Sequence, residues 1–208
     1  METKIFNKSF NDLSFLQNIS SLETKYIFVF DFDLTLTNKT SDGIIKDMID
    51  YIELFGSEAK LLKLKEYFKM ITNNGHNIYI NTRALTRDIS NILKNVELES
   101  MITEIKGSKN TDNINIPFNM LELEQYNLNN IDNHDMLWAI KKVIHMNDIM
   151  IQEKIGYNNI LFFDDSLLNI NTAKLNGYIN SFLIGMNDSG LYGLDYLLIK
   201  LEQILLII

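Results

Sequence analysis

The sequence predicts an α/β protein, a doubly wound, Rossmann-like parallel sheet with helices on both faces. Three observations carry that expectation. Short apolar runs rich in β-branched and aromatic residues, such as 26–30 (YIFVF) and 160–163 (ILFF), are bounded by polar residues, as buried strands of a parallel sheet are. Segments with apolar residues three and four apart lie between them, the spacing of helices that bury one face. The strand-like runs end in acidic, hydroxyl or amide residues, and open α/β sheets bind ligands at the carboxyl ends of their strands.

The elements follow in order. Phe10, Leu13, Phe15, Leu16 and Ile19 suggest a leading helical segment within residues 1–25. After the first strand come helices at 44–55 and 58–70, then a strand at 78–83 begun after Gly75 and a helix at 86–94. A strand is expected near 101–105, and 109–135 reads as an Asn-rich loop insertion, at most a long loop. Lys142 introduces a helix-like stretch at 146–155, placing the lysine near a helix N-terminus. The strand at 160–163 leads into a helix at 166–175, which Asp165 is positioned to cap, and a last strand is expected at 181–184. Residues 197–208 form an amphipathic helix that turns fully apolar; it docks on the core, or a membrane or partner tether lies beyond residue 208.

The 208 residues, 46% of them hydrophobic, suffice to bury one core, and residues 1–208 are expected to form a single domain. With no cysteine there is no disulfide framework, no thiolate nucleophile and no zinc–sulfur site, and His76, His134 and His145 lack metal-ligand spacing. His145, three residues past Lys142, could face the pocket, but reads first as a helix-surface residue. A net charge of −8 with no basic patch argues against nucleic-acid binding. No apolar run reaches the length of a membrane span, and Glu2, Lys4 and Asn7 interrupt any leader-like core, so a cytoplasmic protein is expected.

The chemistry concentrates at strand ends. Asp31 and Asp33 stand two residues apart in Asp31-Phe32-Asp33-Leu34-Thr35, where the chain curls after the first strand. Asp164 and Asp165 follow the strand at 160–163, and adjacent carboxylates there repel unless a cation separates them. These four acids make an all-oxygen site suited to Mg²⁺, with one carboxylate left to attack a substrate. Asn81, Thr82 and Arg83 end the strand between, offering an amide, a hydroxyl and a guanidinium that could fork onto a phosphate or a carboxylate, or pair on the surface with Asp88 or Glu97.

The spacing of these groups resembles the haloacid dehalogenase (HAD) superfamily. Asp31-x-Asp33-x-Thr35 resembles its first motif, Thr82 its second, Lys142 its third and Asp164-Asp165 its fourth. Lys141, Lys106 and Lys109 compete with Lys142 for the third role. The run Lys142-Val143-Ile144-His145-Met146, the Thr82-Arg83 pair and Asp164-Asp165 with Asn169 look like the capless, magnesium-dependent phosphatase branch. The resemblance implies an aspartyl-phosphate mechanism: Asp31 as nucleophile, Asp33 as general acid–base, Thr82 and Lys142 as further catalytic groups, and Thr35, Asn81 and Arg83 binding substrate. It also implies Mg²⁺ held by Asp31, Asp33 (through its carbonyl), Asp164 and Asp165. With no room for a large lid, the expected substrate is a phosphotyrosine protein. A small sugar or nucleotide phosphate is the alternative, and a catalytically silent binding scaffold is the alternative outside enzymes. A receiver domain is excluded by order, since it places its paired acids first and its lone acceptor on the third strand.

Overall fold

The structure, a computed structural model, describes residues 24–41, 48–108, 117–118, 120–126, 128, 133–185 and 190–208. Five strands form one all-parallel sheet: β1 (Ile27–Phe30), β2 (Asn77–Leu85), β3 (Glu104–Ser108), β4 (Ile160–Asp164) and β5 (Ser181–Leu183). Their order across the sheet is β3-β2-β1-β4-β5, so the two strands that end in paired acids are neighbours at its centre. Phe30 pairs with Ile80 on one side and Phe163 on the other, which brings three chemically loaded strand ends level.

Period-two alternation sorts the side chains between two cores. Phe28, Phe30, Ile78, Ile80, Leu161 and Phe163 enter one layer with α2 (Glu58–Asn73), α3 (Thr86–Asn95) and α7 (Leu194–Leu205). Phe30, Phe163 and Phe182 stack in sequence there, with ring centroids 4.9 and 5.0 Å apart. Ile27, Val29, Tyr79, Ile160 and Phe162 enter the other, against α5 (His134–Glu153) and α6 (Leu167–Leu175). Carried one step further, the same alternation turns Asp31, Asn81 and Asp164 toward α5. Tyr79 and Gln152, Asn81 and Lys142, and Arg83 and Asp135 meet in pairs, so α5 runs antiparallel to β2.

Several boundaries differ from the sequence expectation. Residues 146–153 of the expected stretch are the second half of α5, which ends before Lys154 and whose start is fixed by Asn133: its side chain accepts from the backbone of Asp135 and Met136. Lys142 therefore sits in mid-helix, away from the N-terminal dipole. The cap of α6 is Ser166, which accepts from the Asn169 backbone, and Asp165 lies outside the helix. The expected strand at 101–105 begins as a 3-10 turn, Glu99–Met101, because Met101 N bonds back to Leu98 O; the ladder with β2 starts only at Thr103. Within the expected loop 109–135, α4 (Met120–Gln125) forms beside a small cluster of Phe118, Leu128 and Leu137. The helix expected at 44–55 is described as α1 (Met48–Leu54), and residues 42–47 and the leading segment 1–23 lie outside the described residues. The terminal helix docks: Leu194, Leu197, Leu201 and Ile204 of α7 are buried against the core. No described helix is long and apolar enough to cross a membrane.

His76, between α2 and β2, gives one stability prediction. Tyr26 N donates to its Nδ1, so its proton is on Nε2, which is buried without a hydrogen-bond partner among the described residues. Burial, and then Lys25, hold its pKa below the ordinary 6.5. A lowered folded pKa means that the unfolded chain binds the proton more readily, so this stability is intact above pH 6.5 and is lost as pH falls toward the folded value. Chemical denaturation at about pH 7.5 and about pH 5.5 should show a smaller acid loss in His76→Asn, which keeps the acceptor for Tyr26 N but does not titrate. An equal loss in both proteins would refute it.

Candidate active site

The centre of the site is a buried ammonium between two carboxylates. Lys142 Nζ lies 2.6 Å from Asp31 Oδ1 and 2.6 Å from Asp164 Oδ2. Asp31 hangs from a backbone still in the sheet, since its N–H donates to Phe163 O. Asp164 is fixed from three sides: Ser166 N and Asn169 Nδ2 both donate to its Oδ1, and Lys142 takes Oδ2. Oxygen atoms of Asp31, Asp164 and Asp165 all lie within 4.8 Å of one another.

Three carboxylates share one ammonium, and the protonation equilibria record the imbalance. Burial pushes Asp31 up to about 8; Asp164 and Asp165 add to the rise, and Lys142 only partly opposes it. Asp165 is raised as well, by burial and then by Asp164. Burial alone would depress Lys142, but the carboxylates of Asp164 and Asp31 outweigh it and hold the ammonium charged. An oxygen-only cluster with surplus negative charge in a low-dielectric setting fits a hard divalent cation. Asp31, Asp164 and Asp165 are the side chains that could hold it.

No family model matches the chain, and no curated protein matches it. Solved structures do. The chain is similar to the 3-deoxy-D-manno-octulosonate 8-phosphate phosphatase of Moraxella catarrhalis, solved with magnesium, phosphate and KDO: TM-score 0.53, 11% identity, 94% of this chain and 92% of that one. It is also similar to a probable YrbI family phosphatase of Pseudomonas syringae pv. phaseolica: TM-score 0.51, 14% identity, 93% and 90% covered. The fold is HAD-like. At these identities the likeness is one of architecture, and the chemistry rests on the side chains present.

On this HAD-like frame the remaining residues take distinct places. Asp33 leaves the carboxylate cluster: its side chain accepts from Ser41 N and Ser41 Oγ across the loop after β1. The loop is held by Leu34 in a left-handed conformation (φ 59°), a strained choice for leucine, and by Thr37 Oγ1, which accepts from Leu34 N. From behind, Asn38 accepts from Leu194 N and donates to Asp195, which also pairs with Lys60 at 2.7 Å. Gly193 is required at that junction, because a Cβ would stand 2.6 Å from Thr37 O. Thr82, three residues before the end of β2, is buried and accepts from Ala84 N.

The three expected substrate contacts fare differently. Arg83 is half exposed, paired at 2.7 Å with Asp135 rather than with Asp88 or Glu97, and packed over the Trp138 ring. Thr35 is fully buried and its hydroxyl has no hydrogen-bond partner among the described residues. Asn81 is also fully buried, its amide donating to Lys142 O and its oxygen facing His145 Nδ1. His145 is thus a buried residue and not a surface one. Among the competing lysines, Lys141 pairs with Glu122 and Lys106 with Glu104, while Lys109 lies outside the described residues.

Proposed function

We propose that the chain is a Mg²⁺-dependent phosphomonoester hydrolase that works through an aspartyl-phosphate on Asp31. The observation that carries this is the bridge of Lys142 between Asp31 and Asp164, with Asp165 beside them. A buried nucleophile carboxylate, a fixed ammonium and a ready oxygen cage suit a dianionic substrate and little else.

The chemistry divides among the chain's own groups. A carboxylate oxygen of Asp31 attacks phosphorus, and the bond to the ester oxygen breaks while Asp33 protonates that leaving oxygen. Water then attacks phosphorus and gives its proton to Asp33, and the bond to Asp31 breaks to release inorganic phosphate. Thr82 donates its hydroxyl to the phosphoryl group in flight, and Lys142 offsets the charge that gathers on Asp31 and the phosphoryl oxygens. A magnesium ion held by Asp31, Asp164 and Asp165 would supply positive charge that favours the ionised form of Asp31.

For substrate we favour a small phosphate ester over the phosphotyrosine protein expected from sequence. Arg83 and Trp138 cover one another at the end of β2, beside α5. The segment read as a loop contributes α4 and its apolar cluster next to the start of α5. Both reduce the case for an open face that a protein would fill. The Moraxella phosphatase is named for a small sugar-acid phosphate, which agrees with that choice. Phosphate release from p-nitrophenyl phosphate, hexose and sugar-acid phosphates and phosphotyrosine peptides tests both levels. No release from any of them in Mg²⁺ removes the hydrolase. A phosphopeptide preferred about tenfold in kcat/KM, about 1.4 kcal/mol in transition-state binding, restores the protein substrate.

Asp33 has a separate signature. As the proton donor to the leaving group, it should matter most where that oxygen is basic. In Asp33→Asn, hydrolysis of an alkyl phosphate should fall about tenfold or more further than that of p-nitrophenyl phosphate, whose phenolate leaves without help. Equal losses would give the proton to another group.

A further inference from the structure

We infer that His145 and Asn81 form a buried clamp that positions Lys142, with a hydrogen held on His145 Nδ1. Its kinetic part rests on the proposed reaction; the placement of that hydrogen rests on geometry alone.

One group in this chain of contacts has a fixed role. Lys142 O is a backbone carbonyl and can only accept. The Asn81 atom 2.9 Å from it must then be the amide nitrogen, which leaves the amide oxygen facing His145 Nδ1 at 2.8 Å. An amide oxygen can only accept, so Nδ1 must carry a hydrogen. Both side chains are buried, Asn81 completely and His145 to 8% exposure, so water cannot take over either bond cheaply.

The place of this pair gives it a function. Asn81 immediately precedes Thr82 on β2, and His145 lies three residues after Lys142, on the same face of α5. The bonds therefore tie the stretch of β2 that carries the hydroxyl to the helical turn that carries the ammonium. A polar tie fixes register where apolar packing would allow α5 to slide or turn. Lys142 has its Nζ at 2.6 Å from two carboxylates on two different strands, and a small shift of its helix breaks both contacts. The clamp bonds run from the imidazole to the amide and from the amide to the lysine's own backbone, so they act through Lys142. His145 and Asn81 are positioning residues.

Two experiments test the clamp. Nitrogen-15 NMR of the imidazoles at about pH 8 should show His145 Nδ1 protonated, and that signature should be lost in Asn81→Ala. An unprotonated Nδ1 in the native protein overturns the clamp, whether or not the protein is a phosphatase. Kinetically, His145→Ala should lower kcat/KM by about 10²-fold on an aryl phosphate, mostly in kcat. His145→Asn, which keeps an N–H near the Nδ1 position, should recover most of it. In a Lys142→Met background, adding His145→Ala should cost less than about twofold more, because the residue has nothing left to position. A full, additive loss in that background overturns the route through Lys142. Absence of turnover in the native protein would instead count against the hydrolase, with the NMR result still deciding the hydrogen on Nδ1.

Discussion

Turnover in Asp31→Asn is expected to fall by about 10⁴-fold or more, since an amide cannot form the phosphoryl bond. The loss should appear in kcat/KM for every substrate, without the leaving-group dependence predicted for Asp33. The same variant should not melt lower than the native protein when both are metal-free. Its pKa, raised by burial from 3.8 to about 8, means that native Asp31 favours folding when protonated and loses that contribution as pH rises from about 4 through about 8. Asparagine stays neutral across that window, so the variant should show a shallower decline of stability toward alkaline pH. Calorimetric melting of both proteins, alongside phosphate release, measures the two effects. Near-normal turnover would end the proposal for Asp31.

Removing divalent metal should be nearly as severe. Excess EDTA should abolish phosphate release, and Mg²⁺ should restore it, because Asp31, Asp164 and Asp165 carry more negative charge than Lys142 offsets. Calcium should bind without supporting much turnover, its larger and looser shell allowing the nucleophile to bind with both oxygens. Binding itself has a readout apart from catalysis: Mg²⁺ should raise the melting temperature of the native protein, and do so less in Asp164→Asn. Full activity in EDTA contradicts the metal site.

The strand runs and the acids at their ends are local patterns and can be read directly from the sequence, and period-two alternation already divides Ile27 and Val29 from Phe28 and Phe30. Lys142 is readable there only as one of four candidates, because its pairing with Asp31 joins residues 111 positions apart and leaves no local mark. The start of α5 is obscured where Lys141 and Lys142 interrupt the apolar pattern, although Asn133 with Asp135 is a recognisable cap. His145 misleads for a related reason. α5 buries residues such as Leu137, Lys142, Val143, His145 and Met146, on more than one side, so it has no broad polar face by which to judge a histidine exposed. Asn81 resembles a substrate contact because it stands beside Thr82, and only the three-dimensional path of α5 shows what its amide holds.

The junction of α7 with the loop that carries Asp33 has a consequence for the order of events during synthesis. Gly193, Leu194 and Asp195 touch Thr37 and Asn38, so a loop translated first is braced by a helix translated much later. While α7 is still inside the ribosomal tunnel, the nascent chain has its strand-end acids but lacks this brace. A chain stalled at that point should hold Asp33, the proposed proton donor, more loosely, and the proposed turnover is expected only once α7 has docked.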